Sequence, residues 1–236
     1  MQYLLLSNSS MPGQAYLEWP KSHIKAFLGK KKHNLIFIPF AGVTFSYDEY
    51  HKTVAEVFTL MGFELHSIHT IENKKDAIDQ ADGIVIGGGN SFHLLFMLYQ
   101  FDLLDIIREK VKNGIPYIGW SAGSNIAGPT IKTTNDMPII EPPSFNSIGF
   151  FPFQINPHYT EKTIAGHGGE SRQQRIMEFL EVNRDSKVVG LAEGTFIQLK
   201  NDQLSIGGLG GAKLFEWKKE PVDLPVGDKI NRFISL

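Results

Sequence analysis

A chain of 236 residues with 42% hydrophobic and 20% charged residues has the composition of a globular protein, long enough to bury a core without staples. Its formal net charge of -2 gives no general reason to expect nucleic acid or an anionic membrane as partner. The absence of cysteine excludes disulfides, a cysteine nucleophile and thiolate metal sites, and no apolar run approaches the ~18–20 residues of a membrane helix.

The start, Met1 to Asn8, lacks a basic leader, and Tyr3 to Leu6 reads as a first buried strand. A cytoplasmic protein is expected. Apolar residues at Ile24, Phe27 and Leu28 predict a helical face within Trp19 to Leu28. The basic run Lys30-Lys31-Lys32-His33 after it reads as a solvated helix end rather than a phosphate site. Leu35 to Ile38 is a second buried strand, stopped by Pro39. Ser46 and Glu49 have the spacing of a capping box, opening a helix that runs to about Met61 and ends at Gly62. Glu64 to Ile68 alternates and predicts a more exposed third strand. Lys74 to Gln80 reads as a short helix, and Gly83 to Ile86 as a fourth strand leading into Gly87-Gly88-Gly89-Asn90. Helices through Leu94, Leu95 and Leu98, then over Leu103 to Val111, precede a fifth strand ending at Ser121.

Strands alternating with helices predict a mostly parallel sheet flanked by helices. Such sheets place ligands beyond the carboxyl ends of their strands, where the Gly87–Asn90 loop and the Ser121 turn both emerge. Further on, Thr130 to Ile140 is polar and irregular, and Phe150 to Ile155 is apolar and aromatic. A helix is expected over Arg172 to Val182 and a strand over Val188 to Leu191. Thr195 to Leu199 and Leu204 to Ile206 form a C-terminal hairpin turning at Asn201-Asp202, and the tail to Trp217 adds one more strand. No repeat or linker divides residues 1–236, which read as one domain.

Gly119-Trp120-Ser121-Ala122-Gly123 has the G-x-S-x-G form of a nucleophile elbow. A sharp strand-to-helix turn requires small neighbours and projects the serine hydroxyl. The Ala122 amide then lies at a helix N-terminus, able to face a developing oxyanion. The alternative is an ordinary glycine-rich turn. Gly87 to Asn90 fits neither G-x-G-x-x-G nor a P-loop. It reads better as a close-approaching backbone that presents an N–H, from Gly88 or Gly89, opposite that of Ala122.

A serine nucleophile needs a base, and the base needs an acceptor. Of eight histidines, His23, His33, His51, His66 and His69 have no special neighbours in sequence. His93 follows the glycine loop, and His158 and His167 lie in the irregular second half. His158 stands out in Asn156-Pro157-His158, where proline fixes the backbone before it. The acid candidates are Asp136, on the loop after the elbow, and Glu193, at a strand end expected at the same sheet edge as Ser121. Ser–Asp–His order is that of α/β-hydrolases, but the chain is short and the elbow strand late, which argues against that fold.

Together, Ile86-Gly87-Gly88-Gly89-Asn90, Gly119 to Gly123, Thr133-Thr134-Asn135-Asp136-Met137-Pro138, Ile155-Asn156-Pro157-His158 and Gly190-Leu191-Ala192-Glu193-Gly194 resemble the peptidase E family of α-aspartyl dipeptidases. Leu4 to Ser9 and Phe37 to Val43 do so as well, so the likeness runs from about residue 3 to about 200. The resemblance implies a class I glutamine amidotransferase-like (flavodoxin-like) α/β fold with serine in place of cysteine. It implies hydrolysis of Asp-Xaa dipeptides, with no metal or cofactor, and a small peptide as partner of a monomer or homodimer. It makes Ser121 the nucleophile, His158 the base and Gly88 and Ala122 the oxyanion donors. Glu193 is preferred to Asp136 as third member, leaving Asp136 to position a loop or substrate. Ala192 stands where the family leads one to expect proline, a mild departure beside Glu193. Recognition of an N-terminal aspartate requires a cation, for which Arg172 at a helix start is the candidate, with Arg175 read as a surface residue and Asn90 as a further substrate-binding residue. The competing readings are a cyanophycinase-like peptidase for β-aspartyl linkages and a non-catalytic binding module.

Overall fold

The computed structural model describes residues 1–29, 34–162, 168–227 and 229–232. The basic run at 30–33 and the histidine at 167 lie outside the described residues. Strand β1 (Gln2–Leu6) is buried over its last four residues, with Tyr3 and Leu5 packed in one cluster and Leu4 and Leu6 in another. A strand with both faces covered reads as a continuous apolar run, which is why the alternation of polar residues is missing there. The chain continues through α1 (Lys21–Leu28), β2 (Asn34–Ile38), α2 (Tyr47–Met61), β3 (Glu64–Ser67), α3 (Lys74–Asp79), β4 (Gly83–Ile86), α4 (Ser91–Gln100), α5 (Leu104–Lys112) and β5 (Pro116–Trp120). Helix α2 begins with the expected capping box: the Glu49 amide donates to Ser46 Oγ, and the Ser46 amide donates to the Glu49 carboxylate. It ends at Gly62, whose φ of 91° is left-handed.

These elements build most of a seven-stranded sheet of order β3-β2-β4-β5-β1-β8-β9. The five strands from β3 to β1 run parallel. Strand β3 is the edge, and its alternating exposure follows from that position. The antiparallel hairpin of β8 (Thr195–Lys200) and β9 (Gln203–Gly208) completes the sheet beside β1. Asn201 and Asp202 both take positive φ, 53° and 57°, as a tight hairpin turn requires.

A second sheet corrects one expectation. Strand β7 (Lys187–Ala192), which leads to Glu193, does not belong to the sheet that carries Ser121. It pairs with β6 (Gln154–Tyr159) and β10 (Ala212–Glu216) in a four-stranded sheet of order β11-β10-β7-β6, with β11 (Val222–Leu224) at its edge. The free side of β1 is taken by β8, so β7 has no place in the main sheet. Helix α7 (Arg172–Val182) packs Ile176 and Leu180 against Val188 and Phe215 of the small sheet. The elbow helix α6 (Ala122–Asn125) is a single turn that gives way before Gly128 and Pro129. Among the described residues, no helix is long and apolar enough to cross a membrane.

Candidate active site

Ser121 sits between β5 and α6 with φ 53° and ψ −113°, a conformation that costs a non-glycine residue roughly 1–3 kcal/mol. Both glycines of the motif are required by contact. A Cβ on Gly119 would lie 2.3 Å from the Gly123 carbonyl oxygen, and one on Gly123 would lie 2.2 Å from the Ile86 oxygen. The turn is therefore pressed against β4, beside the glycine loop. Ser124 Oγ ties it to β1 by a 2.6 Å bond to the Leu6 carbonyl, and the Ser121 amide donates to the same oxygen at 3.1 Å.

Ser121 Oγ lies 2.9 Å from His158 Nε2, and His158 Nδ1 lies 3.0 Å from Glu193 Oε1. The three residues thus form one hydrogen-bonded line across two sheets. The His158 and Glu193 side chains are 40% and 48% exposed, so the line opens to solvent at its acidic end. His158 occupies a bulge in β6, where the register with β7 shifts between Pro157 and Tyr159 and φ reaches 54°. A bulge turns a side chain out of its regular alternation, and here it turns the imidazole toward the elbow.

Two residues after β1 hold this arrangement. Ser7 Oγ, fully buried, accepts from the His158 amide at 2.9 Å and donates to the Leu191 carbonyl at 2.8 Å. Asn8 Oδ1 accepts from the Gly194 amide at 2.8 Å, next to Glu193. The end of β1 thereby joins the base and the acid to the sheet that carries the nucleophile. Neither residue was assigned a role from sequence. The signal available was their place at the carboxyl end of a central parallel strand, one strand from the elbow.

The glycine loop reaches Ser121 from β4. A Cβ on Gly88 would lie 3.0 Å from Ser121 Cβ, tighter than most side-chain contacts, so the loop comes close to the nucleophile. Among the described residues no acceptor takes the Gly88 amide. The Ala122 amide, first in its helix, has no partner within that helix. Asn90 caps α4 through Oδ1, 3.0 Å from the His93 amide, while its Nδ2 donates to the Met137 carbonyl at 2.8 Å. Its side chain thus ties the loop 130–140 to the glycine loop.

Asp136 lies apart from the His158 ring's partner. Its Oδ2 accepts from the Ser91 amide at 2.7 Å, at the start of α4, and from Thr134 Oγ1 at 3.0 Å. Beside it, Asn135 Nδ2 donates to the Pro157 carbonyl at 2.7 Å and Asn135 Oδ1 accepts from Arg172 and from Asn156. Arg172 thereby connects to the residue preceding His158. Burial chiefly lowers the Arg172 pKa, with the Arg175 charge adding to this and Asp136 opposing it. Arg172 and Arg175 both line a cleft with Asn135, Asp136 and Asn156.

The other described histidines are engaged elsewhere. His51 Nε2 meets the Leu65 carbonyl at 2.8 Å, and His93 Nδ1 meets the Phe40 carbonyl at 2.6 Å. His69 lies between Ser67 and Asp48, His66 beside Glu64, and His23 against Phe196. Among the described residues, no group of three or more His, Asp or Glu side chains is arranged to hold a metal ion.

The family model for peptidase family S51 matches residues 3–207. A peptidase E from Nostoc sp. is 50% identical over 217 residues, covering 92% of this chain and 90% of the relative. A peptidase E from Shewanella sp. strain ANA-3 is 46% identical over 232 residues, covering 98% of each. Among solved structures, a Listeria monocytogenes EGD-e protein provisionally named peptidase E superposes with a TM-score of 0.68 at 20% identity, covering 89% of this chain and 98% of its own. A peptidase from an acI-B1 actinobacterium gives 0.69 at 17% identity, covering 97% and 96%. These structures share the α/β architecture expected from the sequence, a mostly parallel sheet flanked by helices. On the family match and on identity held across nearly the whole chain, the protein belongs to peptidase family S51.

Proposed function

We propose that the protein is a serine-type dipeptidase that hydrolyses α-linked Asp-Xaa dipeptides through an acyl-enzyme. The observation that carries this reading is the line from Ser121 Oγ to His158 Nε2 at 2.9 Å and from His158 Nδ1 to Glu193 Oε1 at 3.0 Å. A histidine between a hydroxyl and a carboxylate can take the hydroxyl's proton while the carboxylate stabilises the imidazolium. Relatives named peptidase E at 46–50% identity support a peptidase, and the aspartyl preference is what the resemblance in the sequence motifs implies.

In this mechanism Ser121 Oγ attacks the peptide carbonyl as its proton passes to His158 Nε2. Glu193 holds the Nδ1–H and fixes the tautomer. Negative charge develops on the carbonyl oxygen beside the Gly88 and Ala122 amides, donors of a kind each worth roughly 100- to 1000-fold in rate. His158 then protonates the leaving amine, which departs as the free amino acid. Water, deprotonated by the same histidine, attacks the aspartyl ester and releases aspartate.

The aspartyl side chain carries a negative charge that must be met. Arg172 is the candidate, supported by a partly desolvated guanidinium and by Asn135, which joins it to the backbone next to His158. A desolvated arginine gains more from a carboxylate than one in bulk water, and it can bind two oxygens at once. Asn90 and Asp136 contribute by holding the loop that bears Asn135. The enzyme would act on small peptides in the cytoplasm as a monomer or homodimer, without a metal or cofactor.

The test compares Arg172→Met with wild type on Asp-Leu. The expected result is a KM raised about 10- to 150-fold, the worth of a charge-assisted interaction at ~1.5–3 kcal/mol, with kcat reduced less. An unchanged KM would remove Arg172 from substrate recognition.

A further inference from the structure

Resting on the proposed catalytic reading, we infer that Tyr50 is a positioning residue for the oxyanion hole, holding the glycine loop and the elbow in a fixed relation. Tyr50 lies on α2, far in sequence from both loops, and is 6% exposed. Its hydroxyl donates to the Gly88 carbonyl at 2.9 Å. The same oxygen accepts from Trp120 Nε1 at 3.2 Å, the residue immediately before Ser121, and from Tyr16 Oη at 3.4 Å. One oxygen thus joins the loop after β4 to the last residue of β5.

The fit is close. A Cβ on Gly87 would lie 2.4 Å from the Tyr50 hydroxyl oxygen, so the loop can rest on it only as glycine. Phe37 and Phe45 pack edge-on against the ring at 5.1 and 5.0 Å between centroids and fix its plane.

The consequence follows from peptide geometry. The Gly88 carbonyl shares a trans peptide with the Gly89 N–H, which points away from the buried tyrosine, while the Gly88 N–H, the proposed donor, lies in the preceding peptide and is restrained through the backbone of Gly88 itself. Glycine has the freest backbone of any residue, and a run of three would let these peptides rotate. A rotated peptide would turn a carbonyl oxygen, not a donor, toward the substrate oxyanion. Holding the Gly88 carbonyl fixes one of these peptides directly and, through Gly88, restricts the neighbouring one that carries the donor before substrate arrives. Burial also keeps the hydroxyl protonated: the Tyr50 pKa is pushed up to about 12, although its hydrogen bonds with Tyr16, Trp120 and Gly88 pull it down. The donor is therefore present over the whole working range of a peptidase.

The test is Tyr50→Phe, which keeps the ring and removes only the hydroxyl. On Asp-Leu the expected kcat loss is about 10- to 100-fold, the scale of a misplaced catalytic group, with KM within about twofold. The inhibition constant of an aspartyl aldehyde, which forms a tetrahedral adduct on serine, should rise by the same factor as kcat falls. That of free aspartate, a planar product, should stay the same. A purely structural role would move both inhibitors or neither. If Tyr50→Phe does not fold, 4-aminophenylalanine and 4-fluorophenylalanine at position 50 replace it. The amino form keeps a donor and should retain activity, while the fluoro form keeps the shape and should lose it. Equal activity of folded variants and wild type, or equal loss of affinity for both inhibitors, would overturn the role of Tyr50. An inactive wild type would instead overturn the proposed function, and the oxyanion role with it.

Discussion

Ser7→Ala removes a single buried oxygen that serves both halves of the site. In the wild type that oxygen accepts from the His158 amide at 2.9 Å and donates to the Leu191 carbonyl at 2.8 Å. Alanine leaves a buried N–H without its acceptor and a carbonyl with one bond fewer. A buried group so orphaned costs roughly 1–3 kcal/mol, which places the total near 2–4 kcal/mol of folding stability. The catalytic effect has a separate origin. His158 is held at φ 54°, a conformation worth roughly 1–3 kcal/mol of strain, and the Ser7 bond is one of the contacts that hold it. Freed of that bond, the bulge relaxes toward ordinary strand geometry and carries the imidazole away from Ser121. A displacement of about 1 Å can cost on the order of 100-fold in rate. Urea unfolding measures the first effect. Steady-state hydrolysis of Asp-Leu at a temperature where the variant is folded measures the second. Stability within about 0.5 kcal/mol of wild type, together with kcat within about twofold, would refute the view that β1 registers the second sheet against the first.

Further predictions address the line of the triad and its strain. Ser121→Gly relieves the positive φ at the elbow, so it should be about 1–2 kcal/mol more stable than Ser121→Ala, with both inactive; equal unfolding midpoints would contradict a strained elbow. Glu193→Gln keeps the shape but loses the charge that stabilises the imidazolium, and kcat should fall by at least about 100-fold with little change in KM. Asp136→Asn weakens the bond to the Ser91 amide and loosens the loop bearing Asn135, so its main effect should be on KM for Asp-Leu. A kcat loss as large as that of Glu193→Gln would return Asp136 to candidacy as the third member. Gly123→Ala should abolish folding or activity, since its Cβ would meet the Ile86 oxygen at 2.2 Å, and a fully active variant would contradict the packing of the elbow on β4.

Much of this was legible in the sequence because its signals are local. The buried strands are short apolar runs, the capping box of α2 needs only Ser46 and Glu49, and the elbow is spelled out by five consecutive residues. His158 and Glu193 were legible as candidates, since each ends a strand-like run. Their meeting with Ser121 was not, because it depends on a second sheet whose pairing is non-local. The reason given for preferring Glu193, a shared sheet edge with the elbow, does not hold; β7 lies in the smaller sheet, and the bulge at His158 brings the residues together. Ser7, Asn8 and Tyr50 are ordinary residues in the sequence. Their roles come from hydrogen bonds to backbone groups 38 to 186 positions away, for which no local pattern exists.

The central claim is that the Ser121 line cleaves α-linked aspartyl dipeptides. The most direct test is hydrolysis by wild type and Ser121→Ala of Asp-Leu, Leu-Asp, Glu-Leu and β-linked Asp-Leu, with chelator present. Rapid cleavage of α-linked Asp-Leu alone, lost in Ser121→Ala, is the predicted result. Cleavage of the β-linked form would place the substrate class with β-aspartyl linkages, and cleavage of none by folded wild-type protein, or undiminished cleavage by Ser121→Ala, would contradict the account.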